Sequence, residues 1–323
     1  LLKVQWKQVA AVFVILAALM VTAGCGNSAS GALEEGKTNV VTSFYPVYFL
    51  AERIGGEQVN VVNLIASGVE PHDWSPKSQD LNVASKAQLL LYNGAGLEGW
   101  VDDFLEGLPA DTQLKTKALS DGIELILGNP EEEHEEHEEE GHEDEHDHAG
   151  EYDPHTWVSP KSILIMAANV KDALIEVDEA NRDAFESNYE KLKAELEELD
   201  QSYTTTLAAT TKKDIVTSHQ SFGYLARDYG LHQVAIMGLT PDAEPKAQDL
   251  LEISKFVKEN QVKYIFFEEL VSDELANTLA RETGAETLVL NPVEGLTKKQ
   301  EQNGDTYITL MQQNLQNLVK ALQ

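Results

Sequence analysis

Cysteine is almost missing from this chain. Cys25 is the single one among 323 residues, so no disulfide can form within it. Long apolar runs are missing too: the longest, residues 9–21, holds 13 residues, whereas a membrane-spanning helix needs about 20. Positive charge is scarce, with 24 Lys and Arg against 55 Asp and Glu and a formal net charge of −31. That deficit argues against nucleic acid or anionic lipid headgroups as the main partner and favours cations near the surface. What is present suffices for a core, since 42% of the residues are hydrophobic. At this length two compact domains are expected.

Residues 1–25 read as a processing segment. Lys3 and Lys7 give a weakly basic start, the apolar run follows, and Thr22-Ala23-Gly24-Cys25 closes it. Small residues ending in a lone cysteine resemble a bacterial lipobox, although Thr22 stands where leucine is usual. The resemblance implies lipidation of Cys25, which would anchor the protein to the membrane; the alternative is a plain signal peptide with a leftover thiol. Residues 26–37 have the composition of a tether.

From residue 38 onward, short β-branched runs alternate with helical stretches. Strands are expected at 39–42, 59–65, 89–92, 215–217, 233–236, 264–267 and 287–290, and helices at 47–54, 162–175, 221–229, 246–259, 273–282 and 305–322. A longer helix is expected over 179–208, where Phe185, Tyr189, Leu192, Leu196, Leu199, Tyr203 and Leu207 form an apolar stripe at helical spacing. At 1.5 Å per residue it would span about 45 Å, enough to brace two domains. Strands separated by helices imply parallel sheets. The expected fold is therefore α/β: two lobes with parallel-sheet cores joined by one long rigid helix. Their boundaries fall at 38–178, with an acidic loop at 131–150, at 179–209 for the linking helix, and at 210–323.

The acidic loop concentrates chemistry. Residues 131–148 read EEEHEEHEEEGHEDEHDH, twelve carboxylates and five histidines with no basic residue. Charge repulsion at this density opposes folding. His134/His137 and His142/His146 are spaced so that a transient turn aims both rings at one ion, with His148 beside them.

Three of the remaining four histidines sit where an α/β sheet places ligands, in loops near strand ends. His72 lies in Val69-Glu70-Pro71-His72-Asp73-Trp74, His155 in Asp153-Pro154-His155-Thr156-Trp157, and His219 closes Ile215-Val216-Thr217-Ser218-His219. His232 begins a strand and reads as structural. Three imidazoles suit a borderline-soft ion such as Zn²⁺ and leave a tetrahedral shell one ligand short. Glu294, following the last expected strand, is the best carboxylate to complete it, with water as its rival. Glu268 and Glu269 compete for that place or serve as acceptors for an imidazole N–H.

These motifs, with Thr42-Ser43-Phe44-Tyr45-Pro46 and residues 291–297, together resemble the metal-binding solute-binding lipoproteins of bacterial ABC importers, in particular the zinc-specific ZnuA/AdcA-type branch. The resemblance covers residues 38–323. It implies a monomeric two-lobed receptor outside the cytoplasm, with the metal in the interlobe cleft and a long helix limiting hinge motion. It also implies a lipid anchor to the outer face of the cell membrane and partners in a permease with a cytoplasmic ATPase. Residue by residue, His72 and His155 match the ligands of the first lobe, His219 the third ligand and Glu294 the carboxylate of the second lobe. Manganese-type relatives carry a carboxylate at the third position, so His219 turns the reading toward zinc. A histidine-rich acidic loop between the first two ligands is a habit of the zinc branch. In this setting the loop reads as a low-affinity collector of zinc.

Three other readings stand beside zinc transport. A manganese or iron receptor would share the architecture. An extracellular zinc hydrolase would need an open coordination position, but none of the expected helices carries a His-Glu-x-x-His pair. Some relatives are surface adhesins, and the sequence offers no dedicated adhesive feature. The expectation is a binding protein, not an enzyme.

Overall fold

The computed structural model describes residues 33–128, 152–241 and 245–323. The expectations for Cys25 and for the loop histidines His134, His137, His142, His146 and His148 lie outside the described residues. All that follows concerns the compact unit that begins at Ala32.

The first lobe runs β1 (Thr38–Thr42), α1 (Tyr45–Gly55), β2 (Val59–Asn63), α2 (Ser78–Ala84), β3 (Leu89–Tyr92), α3 (Val101–Glu106) and β4 (Lys115–Ala118). After a 3₁₀ turn at Thr156–Val158 come α4 (Pro160–Val177) and the linking helix α5 (Arg182–Ala208). The second lobe follows as β5 (Asp214–Thr217), α6 (Gly223–Tyr229), β6 (His232–Ala235), α7 (Ala247–Glu259), β7 (Tyr264–Phe267), α8 (Glu274–Thr283), β8 (Glu286–Val289), α9 (Lys298–Asn303) and α10 (Tyr307–Leu322). Among the described residues no helix is long and apolar enough to cross a membrane.

Each lobe has a four-stranded sheet, β2-β1-β3-β4 in the first and β6-β5-β7-β8 in the second. All strand pairs within them are parallel. The two sheets thus repeat one plan. In each, the chain leaves the first strand toward one edge and returns to its other side, which opens a crevice at the carboxyl ends.

Alternation along the strands sorts side chains between two faces. Val40, Leu89 and Leu91 of the first sheet, and Ile215 and Phe266 of the second, enter one shared core with the stripe of α5. Their neighbours turn the other way: Val41 and Leu90 pack with Phe104, and Val216 and Ile265 pack with Ile253, Val257 and Leu279. The shared core therefore runs beneath both lobes.

Helix α5 joins that core from end to end. Phe185, Leu192, Leu196, Leu199, Tyr203 and Leu207 are buried and Tyr189 is partly so, each aliphatic or Phe side chain contributing about 1.5–3 kcal/mol. The helix packs on α1 and α4 of the first lobe and on α10 of the second. Polar contacts fix both ends: Asn188 Nδ2 donates to the Ile54 carbonyl at 3.1 Å, and Tyr203 donates its hydroxyl to the Met311 carbonyl at 2.7 Å.

Two lobes on one long helix agree with the sequence reading, with differences in detail. Residues Glu179–Asn181 form a separate 3₁₀ turn, because Asp178 (φ −147°, ψ 68°) breaks the α conformation before Arg182. The linking helix thus has 27 residues, about 40 Å. Four elements were unforeseen: α2, α3, α9 and β4. All are short, and β4 (KTKA) carries no apolar pattern; it is a strand because β3 offers it an edge.

Candidate metal centre

His155 sits in a segment secured on both sides. The Asp153 N–H donates to the Ile126 carbonyl at 2.8 Å, Asn93 Nδ2 donates to the Pro154 carbonyl at 2.8 Å, and Thr156 Oγ1 donates to Asn93 Oδ1 at 2.7 Å. Asp153 Oδ1 accepts from the His155 backbone N–H at 2.9 Å and lies 2.8 Å from His155 Nδ1. Ser159 then caps α4, accepting from the Lys161 N–H, with Pro160 at the first turn.

His219 follows β5 directly. Its Nδ1 lies 2.8 Å from Glu268, at the end of the neighbouring strand β7, and its carbonyl accepts from Thr217 Oγ1 at 2.8 Å and Gln233 Nε2 at 3.1 Å. Glu294 follows β8 on a strained turn. Val293 is buried at φ 58°, a left-handed conformation that β-branched residues avoid. The Val293 N–H donates to Asn291 Oδ1 at 2.7 Å, and Asn314 pairs with both backbone groups of Asn291 at 2.8 and 2.6 Å. His72 is held more lightly, its N–H donating to Glu70 Oε1 at 3.1 Å beside a turn from Pro71 to Trp74.

These elements bring four donor atoms to one point. His155 Nε2 lies 3.1 Å from His72 Nε2 and 3.3 Å from His219 Nε2. Glu294 Oε1 lies 3.7, 3.5 and 3.6 Å from the Nε2 atoms of His72, His155 and His219. A tetrahedral zinc site with bonds of about 2.0–2.1 Å has edges of about 3.4 Å. These five separations bracket that value, and all four atoms lie within 4.8 Å of one another. The His72 side chain is 7% exposed, and the other three are at most 1% exposed.

Donation of Nδ1–H to Asp153 and to Glu268 leaves the Nε2 lone pairs of His155 and His219 facing inward. Acceptors converging at this spacing repel one another unless a cation is shared among them. The titration behaviour reflects that conflict. Burial holds the His72 pKa below its ordinary value against the pull of Glu294. For His155 and His219 burial also opposes charge, but the neighbouring carboxylates outweigh it, so both are raised, His219 strongly. Burial would raise Glu294, yet the three imidazoles hold it well below the carboxylate range. Burial first, then the charge of Glu294, pushes the Glu70 carboxyl up to about 8.

The cluster contains the four residues singled out in the sequence, and Glu268 stands beside His219. Glu269 points elsewhere, accepting from Asn291 Nδ2 at 3.0 Å and Gln300 Nε2 at 2.5 Å; it braces the turn that carries Glu294. His232 is exposed and pairs with Asp214 at 2.9 Å. Two contributors were missed: Asp153, the partner of His155, and Asn93, which clamps its flanks. The Asp-Pro-His spacing was the available signal for Asp153.

Two α/β lobes of one sheet plan, with three imidazoles and a carboxylate buried between them, define a bilobed metal-binding protein. The chain belongs to the ZnuA family, whose model, described as zinc-uptake complex component A, periplasmic, matches residues 40–321. This is a family of transport components, not of enzymes. The chain is 40% identical over 321 residues to the high-affinity zinc uptake system protein ZnuA of Bacillus subtilis, covering 98% of this chain and 99% of that one. It is 38% identical over 312 residues to the zinc-binding lipoprotein AdcA of Streptococcus pneumoniae, covering 97% of this chain and spanning only 60% of the length of AdcA. The Zn(II)-bound ZnuA-like domain of that AdcA superposes with a TM-score of 0.75 at 37% identity, covering 89% of this chain and 99% of the domain. The laminin-binding protein Lmb of Streptococcus agalactiae, described as bifunctional with adhesin and metal transporting activity, gives 0.76 at 30% identity, covering 88% and 100%.

Proposed function

We propose that the protein is an extracytoplasmic receptor that binds Zn²⁺ between its lobes through His72, His155, His219 and Glu294 and delivers it to an ABC import permease driven by a cytoplasmic ATPase. The observation that carries this reading is the convergence of four donors within 4.8 Å of one another, five of their six separations being 3.1–3.7 Å. Zinc accepts three imidazoles and a carboxylate at tetrahedral positions, whereas harder ions prefer more oxygens. A manganese or iron receptor is less well served by this set. Hydrolysis is disfavoured because the four protein donors fill the tetrahedron and leave no position for an activated water.

In this reading residues 1–25 direct export, Cys25 carries the lipid anchor and 26–37 form the tether. The lobes comprise 38–178 and 210–323, joined by 179–209, and the receptor acts as a monomer with no nucleic-acid partner. Residues 131–148 collect zinc weakly through His134, His137, His142, His146 and His148.

Calorimetry with zinc and manganese on wild type and His219→Ala tests the centre. One tight zinc site that collapses in the variant, beside weak manganese binding, is expected. Zinc affinity that survives the substitution, with only weak multiple binding in wild type, would overturn the proposed centre.

A further inference from the structure

Asp153 orients a ligand, yet its own carboxylate is little held. Among the described residues, Oδ1 meets only the ring and the backbone N–H of His155, two residues away, at 2.8 and 2.9 Å. Oδ2 is buried and has no hydrogen-bond partner among the described residues. It lies against Gly223 so closely that a Cβ there would stand 2.4 Å from it. The direction of this carboxylate therefore depends on how firmly the Asp153 backbone is fixed.

The fixing group comes from the other lobe. Tyr224, on α6, donates its hydroxyl to the Asp153 carbonyl at 2.6 Å and accepts from the Ile126 N–H at 3.2 Å. Because the Asp153 N–H donates to the Ile126 carbonyl at 2.8 Å, the phenol oxygen closes a ring of hydrogen bonds around these two residues. The ring of Tyr224 is itself clamped: the Arg227 guanidinium lies 5.0 Å from its centroid and donates to the Glu124 carbonyl at 2.6 Å. Helix α6 thus grips the first lobe at residues 124, 126 and 153, and Gly223 admits the carboxylate beside the grip.

We propose that Tyr224 is a positioning residue of the metal centre: from the second lobe, its hydroxyl fixes the Asp153 peptide and, through the Asp153 carboxylate, the direction of the His155 Nε2 lone pair. The proposal rests on the metal-binding function given above. Groups that orient a ligating histidine commonly cost about 10–100-fold in metal affinity when removed. A phenol acting through Asp153 belongs at the lower end of that range.

The test uses the full chain with Tyr224→Phe, which removes one oxygen and keeps the ring under Arg227. Zinc affinity is read by competition with a chromophoric chelator, ligand geometry by the visible absorption of bound cobalt(II), and the fold by the thermal midpoint of the metal-free protein. Zinc affinity should fall by about 10-fold with an altered cobalt spectrum, and Tyr224→Phe should add little to Asp153→Asn, since both act through one carboxylate. Affinity within about twofold of wild type, an unchanged cobalt spectrum, or full additivity with Asp153→Asn would overturn the proposal. A purely structural tyrosine would lower the thermal midpoint and leave the cobalt spectrum alone. If the Phe variant does not fold, 4-aminophenylalanine at position 224 keeps a donor toward Asp153: a wild-type cobalt spectrum supports the proposal and an altered one defeats it. The His219→Ala comparison runs alongside, so failure of the metal centre itself is seen separately.

Discussion

Trp157 Nε1 donates to the Pro292 carbonyl at 2.8 Å, tying the segment that carries His155 to the turn that carries Glu294. Tyr307 completes the tie from the second lobe by donating its hydroxyl to the Trp157 carbonyl at 2.6 Å. The indole is fully buried, with Phe44 edge-on at 4.6 Å. Two donors of the cluster therefore share one bolt.

Trp157→Phe should loosen that bolt. It removes the donor from the Pro292 carbonyl, and an unsatisfied buried acceptor costs about 1–3 kcal/mol. Denaturant titration of the metal-free protein should show a loss in that range. Zinc should also dissociate faster, as measured by chelator capture in stopped flow.

Glu294→Gln should retain three imidazoles and lose the only charged donor. Zinc affinity is expected to fall by at least the 10–100-fold, or about 1.4–2.8 kcal/mol, seen for lesser perturbations of such sites. Calorimetry should still find one site. A wild-type affinity would show that water serves as well as the carboxylate.

The pH dependence should have opposite signs with and without metal. In the metal-free protein His155 and His219 are raised by their carboxylate neighbours, so their contribution to stability is full below about pH 6.5 and is lost as pH rises through the folded values. Zinc requires neutral rings, so binding expels these protons and tightens as pH rises. The difference in thermal midpoint between zinc-loaded and metal-free protein should therefore widen from pH 6 to 8. Calorimetry in buffers of different ionisation enthalpy should register proton release. Constant binding across this range would contradict the raised imidazoles.

Deleting residues 131–148 should leave the tight zinc affinity nearly unchanged and lower the number of weakly bound ions. Equilibrium dialysis at graded zinc concentrations counts both classes. Unchanged stoichiometry together with unchanged uptake at scarce zinc would remove the collecting role.

What could be read from the sequence follows from where each signal resides. The stripe from Phe185 to Leu207 is local and periodic, so α5 was visible, and strand-end logic located His219 and Glu294. Strand β4 and helices α2, α3 and α9 have no such pattern, because pairing and capping by neighbours make them. The partner of His155 was hidden for a different reason. Asp153 was in plain view beside Pro154, but only the fold shows that its carboxylate turns back to the ring. Tyr224 and Asn93 lie 69 and 62 residues from His155, a separation that no local pattern crosses. The break at Asp178 is a single-residue conformational event inside a helical composition.

The core beneath both sheets has a consequence for selectivity. Parting the lobes would bring Trp157 and Tyr307, which meet across them, toward water, at about 1.5–3 kcal/mol for each large apolar side chain. Molecules built this way act as a gauge more than as a glove: the spacing of the donors is set by the body, and the ion must conform to it. An ion needing six or more oxygens at about 2.3–2.6 Å, as Ca²⁺ does, is turned away by dimension as well as by chemistry.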